Sequence, residues 1–372
     1  MTVSTHAQAR PERHAGTARS LAAGARPTTS PGPTFDGTLQ VEDLAVTFRT
    51  KRRSVEAVRG VSFTVEAGKT LVLLGESGSG KAVSARAILR LYSDAVDVTG
   101  RAFLGGVDFF GASEQKMQSI RGSSLALVPQ DATGSLDPLR RIGSQIAEVL
   151  RRHGIENSRK AARKRAVDLL HQVGIPDPAR VVRSYPHELS GGMRQRALIA
   201  IAIACSPKVL IADEPTTALD VTIQAQVLDL FASLQQELGM GLLLVTHDVG
   251  VARQMADRVA VMYAGRLVEE GPGSLVLEEP AHPYTAGLLG AVPTPETERG
   301  RLMAIPGQPP AAGETLGAGC SFAVRCSFAT ERCRSEAPQL VEVGPGRRAA
   351  CPVVGGRVPV ELDTGPSPAE AS

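Results

Sequence analysis

An α/β fold built on a parallel sheet is predicted by three stretches of this 372-residue chain. The apolar run Leu71-Val72-Leu73-Leu74 leads into Gly75-Glu76-Ser77-Gly78-Ser79-Gly80-Lys81-Ala82, and a helix-like segment spans Val83 to Tyr92. A second short apolar run, Val209 to Ala212, ends in Asp213-Glu214. A third, Leu242 to Thr246, ends in His247-Asp248. Continuous apolar runs of this length between turn signals read as strands buried on both faces. Open parallel sheets bind ligands at the C-terminal ends of their strands. All three polar tails lie at such ends.

The first tail carries the clearest chemistry. Gly75, Gly80 and Lys81 fit G-x-x-x-x-G-K, the phosphate-binding loop. Small residues let the backbone wrap a triphosphate so that its N–H groups face the oxygens. The helix opening at Ala82 and Val83 adds its positive end. Lys81 supplies a mobile charge for the β- and γ-phosphates. One position departs from the pattern. Ser or Thr, a Mg2+ ligand, is expected after the lysine, and this chain has Ala82. Ser84 does not replace it, because at about 100° per residue it points roughly 200° away.

The other two tails supply acid, base and a contact to phosphate. Asp213 is placed to hold the Mg2+ shell and Glu214 to polarise the attacking water. An Asp-Glu pair after a strand is often only a turn, but paired with a phosphate loop it is a strong signal. His247 falls where it can reach a γ-phosphate, although a histidine at a strand end is usually structural. Gln130, after the strand-like stretch Leu125 to Pro129, can contact metal-bound water or simply face solvent. Phe48 can stack on a base or sit in a core. Ser190, Gly191 and Gly192 precede the apolar stretch Ala197 to Cys205 and read as a second anion-binding helix start. Two such ends suggest a nucleotide held between two copies or partners.

Composition bounds the class. Hydrophobic residues make up 42% and aromatics 3%, with no Trp, which allows an aliphatic core and disfavours base-stacking nucleic-acid surfaces. No apolar run approaches the roughly 18–20 residues that span a bilayer. No secretory signal is seen, and the five cysteines do not resemble a secreted disulfide framework. The expectation is a protein of a reducing compartment.

Along the chain, residues 1–37 read as a disordered arm, with an organelle transit peptide as the lesser alternative. Leu44, Val46 and Phe48 alternate, as do Val61, Phe63 and Val65, predicting half-buried strands joined by a turn at Lys51-Arg52-Arg53. Residues 131–187 are helical in pattern. Arg151, Arg152 and Arg159 to Arg165 read as a basic helix with a solvated face rather than a nucleic-acid patch. Cys205 reads as a small core residue of an apolar helix. Residues 276–355 are rich in Pro, Gly and Cys. Cys320, Cys326, Cys333 and Cys351 lack the usual zinc spacing. Four thiolates can ligate a 4Fe-4S cluster, so that centre, zinc and free thiols all stay open. The tail from residue 356 reads as disordered.

This constellation resembles the ATP-binding subunit of an ABC transporter. Gly75 to Ala82 resembles its Walker A loop, and Gln130 its Q-loop. Leu189-Ser190-Gly191-Gly192-Met193-Arg194-Gln195-Arg196 resembles the family signature. Val209 to Glu214 resembles Walker B, Ala218-Leu219-Asp220 the D-loop, His247 the switch histidine, and Phe48 the base-stacking aromatic. The resemblance implies an ABC-type P-loop domain over 38–275, with a RecA-like core, an antiparallel β subdomain and a helical subdomain near 131–187. It further implies ATP and Mg2+ as cofactors, and head-to-tail dimers in which each ATP lies between one Walker A loop and the other signature.

Tyr185-Pro186-His187-Glu188, His282-Pro283-Tyr284-Thr285 and Gly319 to Cys326 resemble the peptide-importer branch (dipeptide, oligopeptide, nickel). That branch implies a C-terminal extension over 276–355 with a 4Fe-4S cluster. It also implies two membrane-spanning permease subunits, a sister ATPase, an extracytoplasmic solute-binding protein, and a place on the cytoplasmic face of the membrane. Ala82 then implies a weakened Walker A site, or, as the alternative, a non-hydrolysing regulatory subunit beside an active sister. ABC ATPases acting on ribosomes or DNA usually carry two such domains or a long coiled-coil insertion, and neither is seen.

Overall fold

A computed structural model of the chain describes residues 37–49, 54–93, 95–217, 219–292, 305–311, 314 and 316–352. The expected disordered arm, the Lys51-Arg52-Arg53 turn, Ala218 and the expected C-terminal tail therefore lie outside the described residues, save Gly37.

The chain opens with β1 (Leu39–Arg49) and β2 (Ser54–Val65), then β3 (Thr70–Leu74) and α1 (Lys81–Ile88). β4 (Val96–Leu104), β5 (Val107–Asp108), α2 (Glu114–Ile120) and β6 (Leu125–Val128) follow. A helical stretch comes next: α3 (Ala132–Ser135), α4 (Ile142–Arg152), α5 (Arg159–Gln172), α6 (Pro178–Val181) and α7 (Gly191–Ala202). Then come β7 (Val209–Asp213), α8 (Val221–Leu238), β8 (Gly241–Thr246), α9 (Val249–Met255), β9 (Arg258–Tyr263) and β10 (Arg266–Pro272). The C-terminal part holds α10 (Gly273–Glu278), α11 (Pro283–Gly290), α12 (Glu331–Ser335), β11 (Val341–Gly344) and β12 (Arg347–Ala349).

Two sheets result. One is antiparallel, in the order β2-β1-β4-β5. The other has eight strands in the order β11-β12-β10-β9-β3-β8-β7-β6. Its members β9, β3, β8, β7 and β6 are parallel, and β10, β12 and β11 add an antiparallel edge.

The large sheet is covered on both faces, which is why its strands read as unbroken apolar runs. Side chains alternate between the faces. Val72, Leu74, Leu210, Ala212, Leu242 and Leu244 enter one core, with helices α4, α5, α7 and α8. Leu71, Leu73, Val209, Ile211, Leu243 and Val245 enter the other, with α1 and the antiparallel sheet. On α8, Val227, Phe231 and Leu234 keep the i, i+4, i+7 spacing that faces a core.

Several boundaries differ from the sequence reading. The helix after the phosphate loop ends at Ile88, because Leu89 caps it and Arg90 takes a φ of 51°. The basic stretch is two helices, α4 and α5, separated by a turn at Gly154. Cys205 lies beyond the end of α7 and is only half-buried, so it is not a helix core residue.

Candidate nucleotide site

Register assembles the site. Leu74 of β3 is level with Thr246 of β8, Val245 of β8 with Asp213 of β7, and Ala212 of β7 with Val128 of β6. Because these strands are parallel neighbours, the segments that follow them leave the same sheet edge. Gly75, Gln130, Glu214 and His247 are therefore brought to one rim from four separate stretches of chain.

The loop after β3 needs its glycines. A Cβ at Gly75 would lie 2.3 Å from the Met262 carbonyl oxygen. At Gly80 φ is 106°, and a Cβ would lie 2.7 Å from the Ala57 carbonyl oxygen. Lys81 is buried, and its ammonium folds back to donate to the carbonyls of Gly75 (2.6 Å) and Glu76 (2.9 Å) and to Ser79 Oγ (3.5 Å). Burial lowers its pKa to about 8, against the upward pull of Glu214, Asp213 and Glu76. Gly78 takes a φ of 83°, Ser77 is exposed, and Ala82 and Val83 are half-buried. Ser84 turns inward and donates to the Gly80 carbonyl at 3.0 Å, so it offers no ligand at the rim.

Asp213 ends β7 almost fully buried, and neither carboxylate oxygen has a hydrogen-bond partner. Its nearest cation is Arg86 of α1, whose Nη2 lies 3.6 Å from Oδ2. Burial raises its pKa, and Arg86 and Lys81 partly offset that. Two orphaned carboxylate oxygens in a buried place are expensive unless a cation meets them. The residues therefore fit Mg2+ at Asp213, while Ala82 offers it no oxygen.

Glu214 has a φ of 47°, a left-handed backbone that is unusual for a non-glycine residue. Its N–H donates to the Val245 carbonyl at 2.9 Å, which pins the turn to β8. Its carboxylate is held from three sides. Gln130 Nε2 donates to Oε2 at 3.1 Å and Thr217 Oγ1 to the same oxygen at 3.0 Å, while His247 Nδ1 lies 3.1 Å from Oε1. Thr217 was missed in the sequence, where it is one of two threonines in an ordinary turn.

Phe48 sits on β1 between Val55 and Val96 and meets Tyr92 edge-on, with centroids 5.3 Å apart. Ser190 caps α7 by accepting from the Met193 N–H at 3.3 Å, with Gly191 and Gly192 in the first turn. Among the described residues no hydrogen bond joins that cap to the Gly75–Lys81 loop. Asp220 caps α8, accepting from Ile223 at 3.0 Å.

Cys320, Cys326, Cys333 and Cys351 line one small cavity of about 10 Å³ together with His282 and Phe322. Burial pushes the Cys320 thiol up and the Cys326 thiol to about 11. Among the described residues no group of three or more His, Cys, Asp or Glu has the arrangement of a metal site. The four thiols share a cavity, but their sulfurs do not form a ligand set as they stand. The expected cluster is to that extent unsupported.

Comparison with known proteins places these features. Residues 58–217 match the ABC transporter family, and residues 268–333 match the oligopeptide/dipeptide transporter C-terminal region. A Brucella abortus (strain 2308) relative named as a peptide import ATP-binding protein is 49% identical over 326 residues, covering 84% of this chain and 96% of that one. The oligopeptide transport ATP-binding protein OppD of Mycobacterium tuberculosis is 46% identical over 333 residues, or 89% of this chain. This chain spans 53% of that relative's length. A solved dimeric ATP-binding cassette, bound to ADP and Pi in a post-hydrolysis state, superposes with a TM-score of 0.57 at 26% identity. It covers 63% of this chain and 98% of its own. No described helix is long and apolar enough to cross a membrane.

Proposed function

The chain belongs to the ABC transporter family of ATP-binding proteins, in the oligopeptide/dipeptide branch, and from that premise we propose that it binds and hydrolyses ATP to power import of peptides or a related solute. The observation that carries the hydrolytic part is Glu214, held by Gln130, Thr217 and His247 on the same rim as Lys81 and Asp213, whose oxygens accept no hydrogen bond. The Gly75–Lys81 backbone and Lys81 would hold the phosphates once the ammonium releases its own carbonyls. Asp213 would hold Mg2+, which when bound neutralises charge developing on the transferred phosphoryl group. Glu214 would orient water and accept its proton, with Gln130 and His247 fixing its carboxylate. Phe48 and Tyr92 would meet the base. Ser190 to Gly192 and Asp220 would face the nucleotide held by a second ATPase. The partners of this reading are that sister, two permease subunits and, through them, a solute-binding protein, at the cytoplasmic face of the membrane.

A finer reading takes the four cysteines as the holders of one 4Fe-4S centre; it rests on their shared cavity alone and requires their sulfurs to move into a ligand set they do not form as they stand. Anaerobic purification with iron and sulfide analysis tests it, and a metal-free chain that folds equally well would sink it.

A second reading is a regulatory, non-hydrolysing subunit. It draws on Ala82 and on the Arg86 guanidinium 3.6 Å from Asp213. The deciding experiment is purification with the permease subunits, reconstitution in vesicles, and single-site trapping of nucleotide. Turnover at the site holding Glu214, abolished by Glu214→Gln, supports the ATPase. Stable occupancy there without turnover supports the regulatory reading.

A further inference from the structure

We propose that the C-terminal extension positions the phosphate-binding loop, with Arg325 and Tyr284 as positioning residues that grip Glu76 and thereby set nucleotide affinity. The proposal rests on the reading that Gly75–Lys81 holds a nucleotide.

Glu76 follows Gly75 in the loop, and it is held from outside the loop by both its side chain and its main chain. Arg325 lies 249 positions away, yet it takes the Glu76 carboxylate in a two-pronged pair. Nη1 donates to Oε2 at 2.7 Å and Nη2 to Oε1 at 3.1 Å. Tyr284 accepts the Glu76 backbone N–H on its hydroxyl at 2.8 Å. Glu76 also gives its carbonyl to Lys81 Nζ at 2.9 Å. One residue therefore joins the extension to the lysine that would meet phosphate, and a displacement of Glu76 displaces an acceptor of Lys81.

The grip is rigid. The Arg325 side chain is buried, its Nε donates to the Pro306 carbonyl at 2.9 Å, and its guanidinium lies over the rings of Tyr263 (5.8 Å) and Phe322 (6.0 Å). Tyr284 is fully buried and packs on Tyr263 at 4.6 Å and on Phe322 at 5.4 Å. A planar guanidinium in a fixed fork loses little freedom on pairing and gives direction as well as charge. A buried arginine deprived of its carboxylate is strongly disfavoured, so the pair constrains the loop whether or not nucleotide is present. The two sequence features that mark the extension, His282 to Thr285 and Gly319 to Cys326, thus meet at one residue of the loop.

The test is titration of the full chain with a fluorescent ATP analogue, beside urea unfolding of the nucleotide-free protein. Arg325→Gln and Glu76→Gln are each expected to weaken binding about tenfold or more, and Tyr284→Phe about three- to tenfold. The double variant Arg325→Gln with Glu76→Gln is expected to bind no worse than the weaker single variant, because both remove one pair. Glu76→Gln is isosteric and keeps the test open if Arg325→Gln fails to fold. Lowered unfolding midpoints with affinities within twofold of the parent would make the pair a staple only and overturn the positioning role. Lys81→Ala is run alongside. Full-strength binding in that variant would overturn the nucleotide reading itself and the proposal with it. Loss of binding in Lys81→Ala, with Glu76→Gln unaffected, would overturn the proposal alone.

Discussion

His247 Nδ1 and Glu214 Oε1 face each other at 3.1 Å across the ends of two neighbouring parallel strands. The contact ties the carboxylate that would activate water to a histidine whose own side chain is largely exposed and free to reach a ligand. Glu214→Gln keeps the size and most hydrogen bonds of that side chain but removes its basicity. Hydrolysis in the assembled complex should fall by about a hundredfold to ten-thousandfold. ATP affinity should change by less than about threefold, since only the transition state needs the base. ATPase rates and equilibrium titration read the two effects separately.

Ala82 predicts a metal-specific rescue. A serine there returns one hydroxyl oxygen to the phosphate loop, and the Asp213 oxygens accept no hydrogen bond. In Ala82→Ser the Mg2+ concentration for half-maximal activity should fall, and the rate should rise by about tenfold, or ~1.4 kcal/mol of barrier. An unchanged Mg2+ dependence, with equal turnover at both composite sites, would show that the missing hydroxyl is immaterial.

Lys81 predicts a pH dependence. Burial holds its pKa near 8 in the nucleotide-free protein, below the ordinary 10.5. Only the charged form attracts phosphate. Affinity for ATP should therefore be level below pH 8 and decline above it, no more steeply than about tenfold per pH unit. Stability runs the other way. Between pH 8 and 10.5 the unfolded chain binds more protons at this lysine than the folded one, so this lysine's contribution to nucleotide-free stability rises across that window. Titrations from pH 6.5 to 9.5, with Lys81→Met as the flat reference, check the first claim.

Arg347 predicts a stability effect away from the nucleotide. It donates through Nη2 at 2.7 Å to Glu269, a fully buried carboxylate that also accepts the N–H groups of Ala281 and His282. This ties β12 and the start of α11 to β10. Arg347→Ala leaves Glu269 buried and unpaired and should destabilise by about 3–5 kcal/mol. Urea unfolding measures the loss, and the variant should gain protease-sensitive sites C-terminal to β10. A midpoint within error of the parent would remove this pair as an anchor.

Much of the site was legible in the chain because its chemistry is local. Gly75 and Gly80 are dictated by backbone torsion and close approach, Lys81 by its place at a helix start, and Asp213 and Glu214 by the strand that delivers them. Alternation between the two cores explains why β3, β7 and β8 read as apolar runs. Helix ends were less legible. Arg90 and Cys205 fell outside the helices that apolar pattern assigned to them, since periodicity marks a buried face and says little about where a cap falls.

What only the tertiary structure decided is partnership across long separations. Tyr92 joins Phe48, Arg86 approaches Asp213, and Arg325 takes hold of Glu76. No local rule selects these pairs. They depend on how strands, helices and loops distant in the chain are brought together on folding, as where β7 sets Asp213 beside α1 and its Arg86. The four cysteines show the same division. Their number and spacing were visible, but their convergence on one cavity without metal-ligating geometry is a property of the folded chain, because direction in space is not carried by spacing in sequence.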